Sequence, residues 1–116
     1  SIPLQRAFDD GCEKTVVILT QHKGFEKKPT KNAVVKIMKN YPKLAESIAN
    51  RHIMYNEQLK LVEQAEKDGR AFVIRPGTTR GVTSREKDTS KLEAIYQLGY
   101  KQGLRSIDDL KSFLAE

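Results

Sequence analysis

Apolar residues follow two rhythms along this chain. Val16-Val17-Ile18-Leu19 runs without a polar break and is mostly β-branched, as in a strand covered on both faces within a parallel sheet. A strand is therefore expected over about 14–20. "RAFVIRP" repeats the theme more weakly, with Ala71 to Ile74 apolar and Pro76 closing it, which predicts a second strand over about 70–75. Helical spacing governs the rest. Leu4, Ala7 and Phe8 lie between Pro3, suited to a first turn, and Gly11, suited to a left-handed stop. Val34, Ile37, Met38 and Tyr41 recur at i, i+3, i+4 and i+7, predicting a helix that ends before Pro42. Leu44, Ile48, Tyr55, Leu59 and Val62 form the stripe of a longer helix from about Pro42 to Asp68, stopped by Gly69.

After the turn-rich "PGTTRGVTSREKD", two more helices are expected. The first has Leu92, Ile95, Tyr96 and Gly99 on one face, with Ser90 or Asp88 as its cap, and ends at Gly103. The second is capped by Ser106 and buries Ile107, Leu110, Phe113 and Leu114. The fold class is thus α/β, with two strands and mostly helical connections. A strand, a helical crossover and a strand form a right-handed parallel unit when both strands share a sheet. Two strands are too few for a sheet buried on both faces, so at least one long edge of the first strand lacks a neighbour. The missing strands are expected in another part of the same protein.

A chain of 116 residues with 38% hydrophobic and 31% charged residues has the size and balance of one soluble domain. The lone Cys12 cannot form an internal disulfide, which favours a reducing, cytoplasmic setting over a secreted one. No apolar run approaches the roughly 18 residues needed to span a bilayer. The first residues enter helix-like sequence without an initiator Met, which suggests a segment of something longer.

The net charge of +6 is unevenly distributed. Lys23, Lys27, Lys28, Lys31, Lys36, Lys39 and Lys43 follow the first strand, opposed there only by Glu26. A solvated face is the simplest explanation; nucleic acid or anionic lipid headgroups are the alternatives.

Catalytic patterns are missing. There is no G-x-S-x-G elbow, H-E-x-x-H, paired cysteines or Walker-type phosphate loop, so no metal or cofactor is expected. Cys12 and His22 have no partner nearby in sequence for nucleophilic chemistry. "NRHIMYNE" places Arg51, His52, Tyr55 and Asn56 beside or on the apolar stripe of the long helix, where hydrogen bonding across a packing interface is favoured over ligand binding. In "IRPGTTRG", Arg75 and Arg80 with two glycines offer an anion site, although a Pro-Gly turn after a strand explains the same letters.

"SIPLQRAFDDGCEKTVVILTQHKGFEKKP", "YPKLAESIANRHIMYNEQLKLVEQAEKDGRAFVIRP" and "REKDTSKLEAIYQLGYKQG", in this order over nearly the whole chain, resemble the C-terminal region of bacterial patatin-like phospholipases. The resemblance implies serine lipid acyl hydrolases with a three-layer α/β core, using a Ser in G-x-S-x-G and an Asp in D-G-[GA]. Neither motif occurs here, so both are expected upstream and no catalytic residue maps onto this chain. Residues 1–31 would end the catalytic core, and 32–116 would form a family-specific C-terminal region. The remainder of the catalytic domain would be the main partner. Lys27, Lys28, Lys36, Lys39, Arg75 and Arg80 would be candidate contacts to an anionic lipid surface, placing the protein in the cytoplasm or at the inner membrane surface. Two other classes remain open. A basic nucleic-acid module would explain the charge but lacks a recognition motif. An independent interaction or homo-oligomerisation domain would explain an uncovered strand.

Overall fold

The computed structural model describes residues 1–79 and 81–116, in the order α1 (Leu4–Asp9), β1 (Thr15–Ile18), α2 (Asn32–Ile37), α3 (Pro42–Lys67), β2 (Ala71–Ile74) and α4 (Thr89–Ala115). Both strands follow a helix that stops in the same way. At the end of α1 the amides of Gly11 and Cys12 donate to the carbonyls of Phe8 and Ala7 at 3.0 Å each. At the end of α3 the amides of Gly69 and Arg70 donate to Glu66 at 3.2 Å and Ala65 at 2.9 Å. These are Schellman stops, and they require a left-handed residue that glycine supplies at low cost. Gly11 has φ 95° and Gly69 has φ 71°.

β1 and β2 pair in parallel, with Thr15 opposite Ala71 and Ile18 opposite Ile74. Parallel partners project to the same side of the sheet, so Val17 and Val73 share one face, and Val16, Ile18, Phe72 and Ile74 share the other. The first face is the core. Leu4 of α1, Val62 and Ala65 of α3, and Val17, Leu19 and Ala71 are buried together, with Phe8 and Leu59 packed against them. Val62 is wholly inaccessible, and burying a side chain of that size stabilises the fold by about 1.5–2 kcal/mol.

α4 crosses the second face over β2. The rings of Phe113 and Phe72 lie 5.7 Å apart, and the Lys14 ammonium sits 5.1 Å from the Phe113 centroid. Lys14 also donates to the carbonyls of Phe113 and Glu116, at 2.8 Å each. A cation at the negative end of a helix, bonded to its unpaired carbonyls, fixes that end in place.

Two expectations from sequence need correction. The helix from residue 89 does not end at Gly103; it runs unbroken to Ala115. Glycine in a helix costs about 1 kcal/mol relative to alanine but does not terminate it, and the apolar positions on either side of Gly103 stay in phase. Ser106 is accordingly not a cap: its hydroxyl donates back to the Gln102 carbonyl at 2.8 Å. Asp88 caps this helix, accepting from the amides of Ser90 and Lys91. The helix before Pro42 is also shorter than expected, because α2 closes at Ile37 and Tyr41 becomes the residue that starts α3. As two strands alone lead one to expect, this chain does not cover β1 on both faces. Val16 is 40% and Ile18 74% exposed.

The molecule is correspondingly flat and open. It measures 51 × 40 × 20 Å with a radius of gyration of 17.0 Å, against about 13 Å for a compact chain of this length.

Candidate functional site

The most apolar strand of the chain lies at the rim of the sheet. β1 pairs only with β2, so among the described residues its outer edge has no strand partner. A groove of about 430 Å³ follows this edge, lined by the first residues of the chain, by Leu4 and Ala7 of α1, and by the strand from Lys14 to Leu19. Unpaired amides and carbonyls beside an apolar groove are what an incoming strand or extended segment requires. This is an acceptor for main chain and apolar side chains. Cys12 lies exposed at its border.

The segment after β1 is held against α3 by a small set of contacts. Asn56 accepts from the Lys27 amide at 2.8 Å and donates to the Lys27 carbonyl at 3.0 Å, an arrangement equivalent to one rung of a sheet ladder. Phe25 meets Tyr55 edge-on at 6.2 Å, and the Lys27 ammonium lies 5.1 Å from the Tyr55 centroid. Thr30 donates to the Ile48 carbonyl at 3.4 Å. Tyr55 and Asn56 therefore bridge the loop to the helix. Arg51 is exposed and has no part in that bridge, and the Nδ1 of His52 is buried without a hydrogen-bond partner.

The candidate cationic residues do not converge on one point. Lys27 is half-buried against Tyr55, whereas Lys28, Lys36 and Lys39 are exposed. The last two share their surface with Ile37, 74% exposed, and with exposed Val34 and Tyr41. The lysines there are legible as a charge cluster, whereas the apolar side chains between them have helical spacing that reads as a buried face. Arg75 is paired with Glu66 at 2.8 Å, its side chain 15% exposed, which leaves little of its charge for an external anion. Arg80 lies outside the described residues. His22 donates from Nδ1 to the Lys23 carbonyl at 2.8 Å, which fixes its proton on that nitrogen. No group of His, Cys, Asp or Glu among the described residues is arranged to hold a metal ion. No helix of the described residues is long and apolar enough to cross a membrane.

One pKa shift is resolved among the described groups. The Asp88 amide holds Glu86 below its ordinary value of 4.5; slight burial opposes this, and the Lys87 amide and the Lys91 ammonium add to it. This stabilises the turn that starts α4.

The segment from α3 through β2 to α4 recurs as a unit in other proteins, matching the family pattern described as "Domain of unknown function (DUF6363)" over residues 41–115. The chain belongs to this family. No curated protein and no solved structure matches it. The family segment begins at Tyr41 and so excludes α1, β1 and α2. The two-stranded sheet is thus assembled across its boundary, with β2 inside and β1 outside.

Proposed function

We propose that this chain is the C-terminal, non-catalytic part of a patatin-like phospholipase, a lipid acyl ester hydrolase whose Ser and Asp lie upstream. The observation that carries the reading is the open flank of β1. A strand with the composition of a central strand has an unpaired edge, an exposed second face and a groove beside it. An exposed Ile18 and a row of unpaired main-chain groups are a hazard for an isolated domain, but they are the natural boundary of a sheet whose remaining strands belong to the catalytic core. In that arrangement the chain supplies scaffold: α1 and α3 cover one face of the sheet, α4 covers β2, and the core closes the rest.

The reading extends to a cytoplasmic enzyme working peripherally at the inner membrane surface. Its support is the mixed surface around α2, where Lys28, Lys36 and Lys39 are exposed near exposed Val34, Ile37 and Tyr41. Lysines near an anionic leaflet contribute about 1 kcal/mol each, and apolar side chains between them enter the headgroup boundary.

The test is to express this chain together with the polypeptide encoded immediately before it, and to measure fatty-acid release from phospholipid vesicles. Hydrolysis by the longer polypeptide, none by this chain alone, and slower amide exchange in β1 of the longer form are expected. Hydrolysis by this chain alone, or an inactive longer form, overturns the reading. Reversing Lys28, Lys36 and Lys39 to Glu in the longer form should abolish binding to anionic vesicles while leaving soluble-ester hydrolysis intact. Undiminished binding removes the membrane contact from the proposal.

A further inference from the structure

α4 has two apolar faces, and only one of them is used. Ile95, Ser106 and Phe113 turn inward, whereas Tyr96, Tyr100, Leu104 and Leu114 are 61%, 55%, 53% and 57% exposed and Ile107 is 39% exposed. At about 100° per residue these five side chains fall within about 40° of Tyr100, forming one ridge roughly 27 Å long. Tyr96 and Tyr100 stack on it with centroids 6.3 Å apart. A continuous ridge of large apolar side chains is more than the scattered exposure expected of a monomer surface.

The charges on the ridge specify what covers it. Glu93 and Lys111 are on nearly the same azimuth, about 20° from Tyr100, and are separated by about five full turns. They bracket Tyr96, Tyr100, Leu104 and Ile107, with Leu114 one turn beyond Lys111, and their midpoint is level with Gln102. A two-fold axis at that midpoint sets Glu93 of one copy against Lys111 of the other, twice, and sets Tyr100 against Leu104. A parallel pairing would instead bring Glu93 to Glu93 and Lys111 to Lys111. Gln97 donates to one Glu93 oxygen at 2.9 Å, holding the carboxylate at the ridge. A like-charge approach, Lys101 to its copy, falls on the solvent-exposed flank, where water and salt screen it.

Gly103 adds an independent observation. It lies inside a long helix, where glycine is unfavourable, and a Cβ built there meets nothing within 4 Å in its own chain. No neighbour in the chain requires a glycine at this position. A second helix crossing one residue from the midpoint would make use of it, because the missing side chain lets the two backbones approach.

We infer that the outer ridge of α4 is a homodimer interface, in which two copies of this chain pair α4 against α4 in antiparallel orientation about an axis on the Tyr100 face, at the level of Gln102 along the helix. This interface is separate from the open flank of β1 and does not depend on the phospholipase reading.

The test is sedimentation equilibrium of the 116-residue chain and its variants across micromolar to near-millimolar concentrations, with circular dichroism confirming that each variant folds. The wild-type chain should be a reversible dimer. Tyr100→Glu, on an exposed position, should weaken it by about tenfold or more. Lys111→Glu should weaken it by about threefold or more, and the double exchange Glu93→Lys with Lys111→Glu should restore it, because each carboxylate again faces an ammonium on the other copy. Ile18→Lys, at the open strand, should leave the dimer unchanged. A monomeric wild-type chain overturns the inference, as does a dimer that Ile18→Lys dissociates and Tyr100→Glu does not. A dimer that Lys111→Glu leaves unaffected overturns the antiparallel assignment.

Discussion

β1 and β2 are close in sequence, Thr15-Val16-Val17-Ile18 against Ala71-Phe72-Val73-Ile74, and each follows a helix ended by a left-handed glycine. Their surroundings differ. β2 has α3 against one face, α4 against the other and β1 along one edge, whereas β1 has α1 and α3 against one face and little against the other. The same kind of strand is thus satisfied once within the chain and left half-satisfied once. The difference shows that apolar pattern encodes a demand for cover, while the supply of cover depends on topology. A chain with two strands has one sheet neighbour to give, and its last helix lies over β2 and reaches the β1 side only at Lys14.

The largest expected effect comes from comparing the two faces of β1 directly. Val17→Ala removes packing from the core and should destabilise the chain by about 2 kcal/mol, whereas Ile18→Ala should cost under about 0.5 kcal/mol in the same urea titration at low protein concentration. Equal costs would mean that the exposed face is covered in solution. In the longer polypeptide of the proposed function, the cost of Ile18→Ala should rise towards that of Val17→Ala.

A smaller effect separates the loop after β1 from the loop after β2. Asn56→Ala removes both hydrogen bonds to Lys27 and should cost about 1–2 kcal/mol, with faster amide exchange at Lys27 while β2 remains protected. If Lys27 stays protected, Phe25 and Tyr55 alone hold the loop.

The smallest effect concerns the start of α4. Asp88→Ala should lower stability by about 1 kcal/mol through loss of the cap. Glu86 adds a pH dependence of the same end of the helix. Its carboxyl is held below 4.5 in the fold, so its contribution is complete above the ordinary carboxylate range and is lost as pH falls through its lowered value. Exchange at the first amides of α4 should therefore accelerate on acidification in the wild type, and Glu86→Gln should remove that component.

The legible parts of the fold were those set by local chemistry. Gly11 and Gly69 stop their helices because the left-handed turn needs them, and Asp88 was readable as a cap from its type and position. Gly103 is not a stop, because glycine ends a helix only where the apolar rhythm breaks, and here the rhythm continues through it. The double-sided reading of Val16 to Leu19 described what the strand requires, and the chain does not supply it. Asn56 showed only that a polar group in a helix needs a partner; that the partner is the backbone of Lys27 depends on a long-range approach that no spacing encodes. The apolar side chains around α2 were invisible as surface, since an amphipathic stripe reads the same whether or not something packs on it.

Lys14 has a consequence for how the molecule is made. Its acceptors lie 99 and 102 residues further along the chain, whereas the strands it borders pair across a shorter separation, Thr15 with Ala71. During synthesis from the N-terminus, the sheet and its α1–α3 layer can close before α4 is complete, and loop-closure entropy favours that order. Until the last turn of α4 is translated, the Lys14 ammonium has only water to bond. That one side chain is therefore satisfied only when α4 has been translated and has docked.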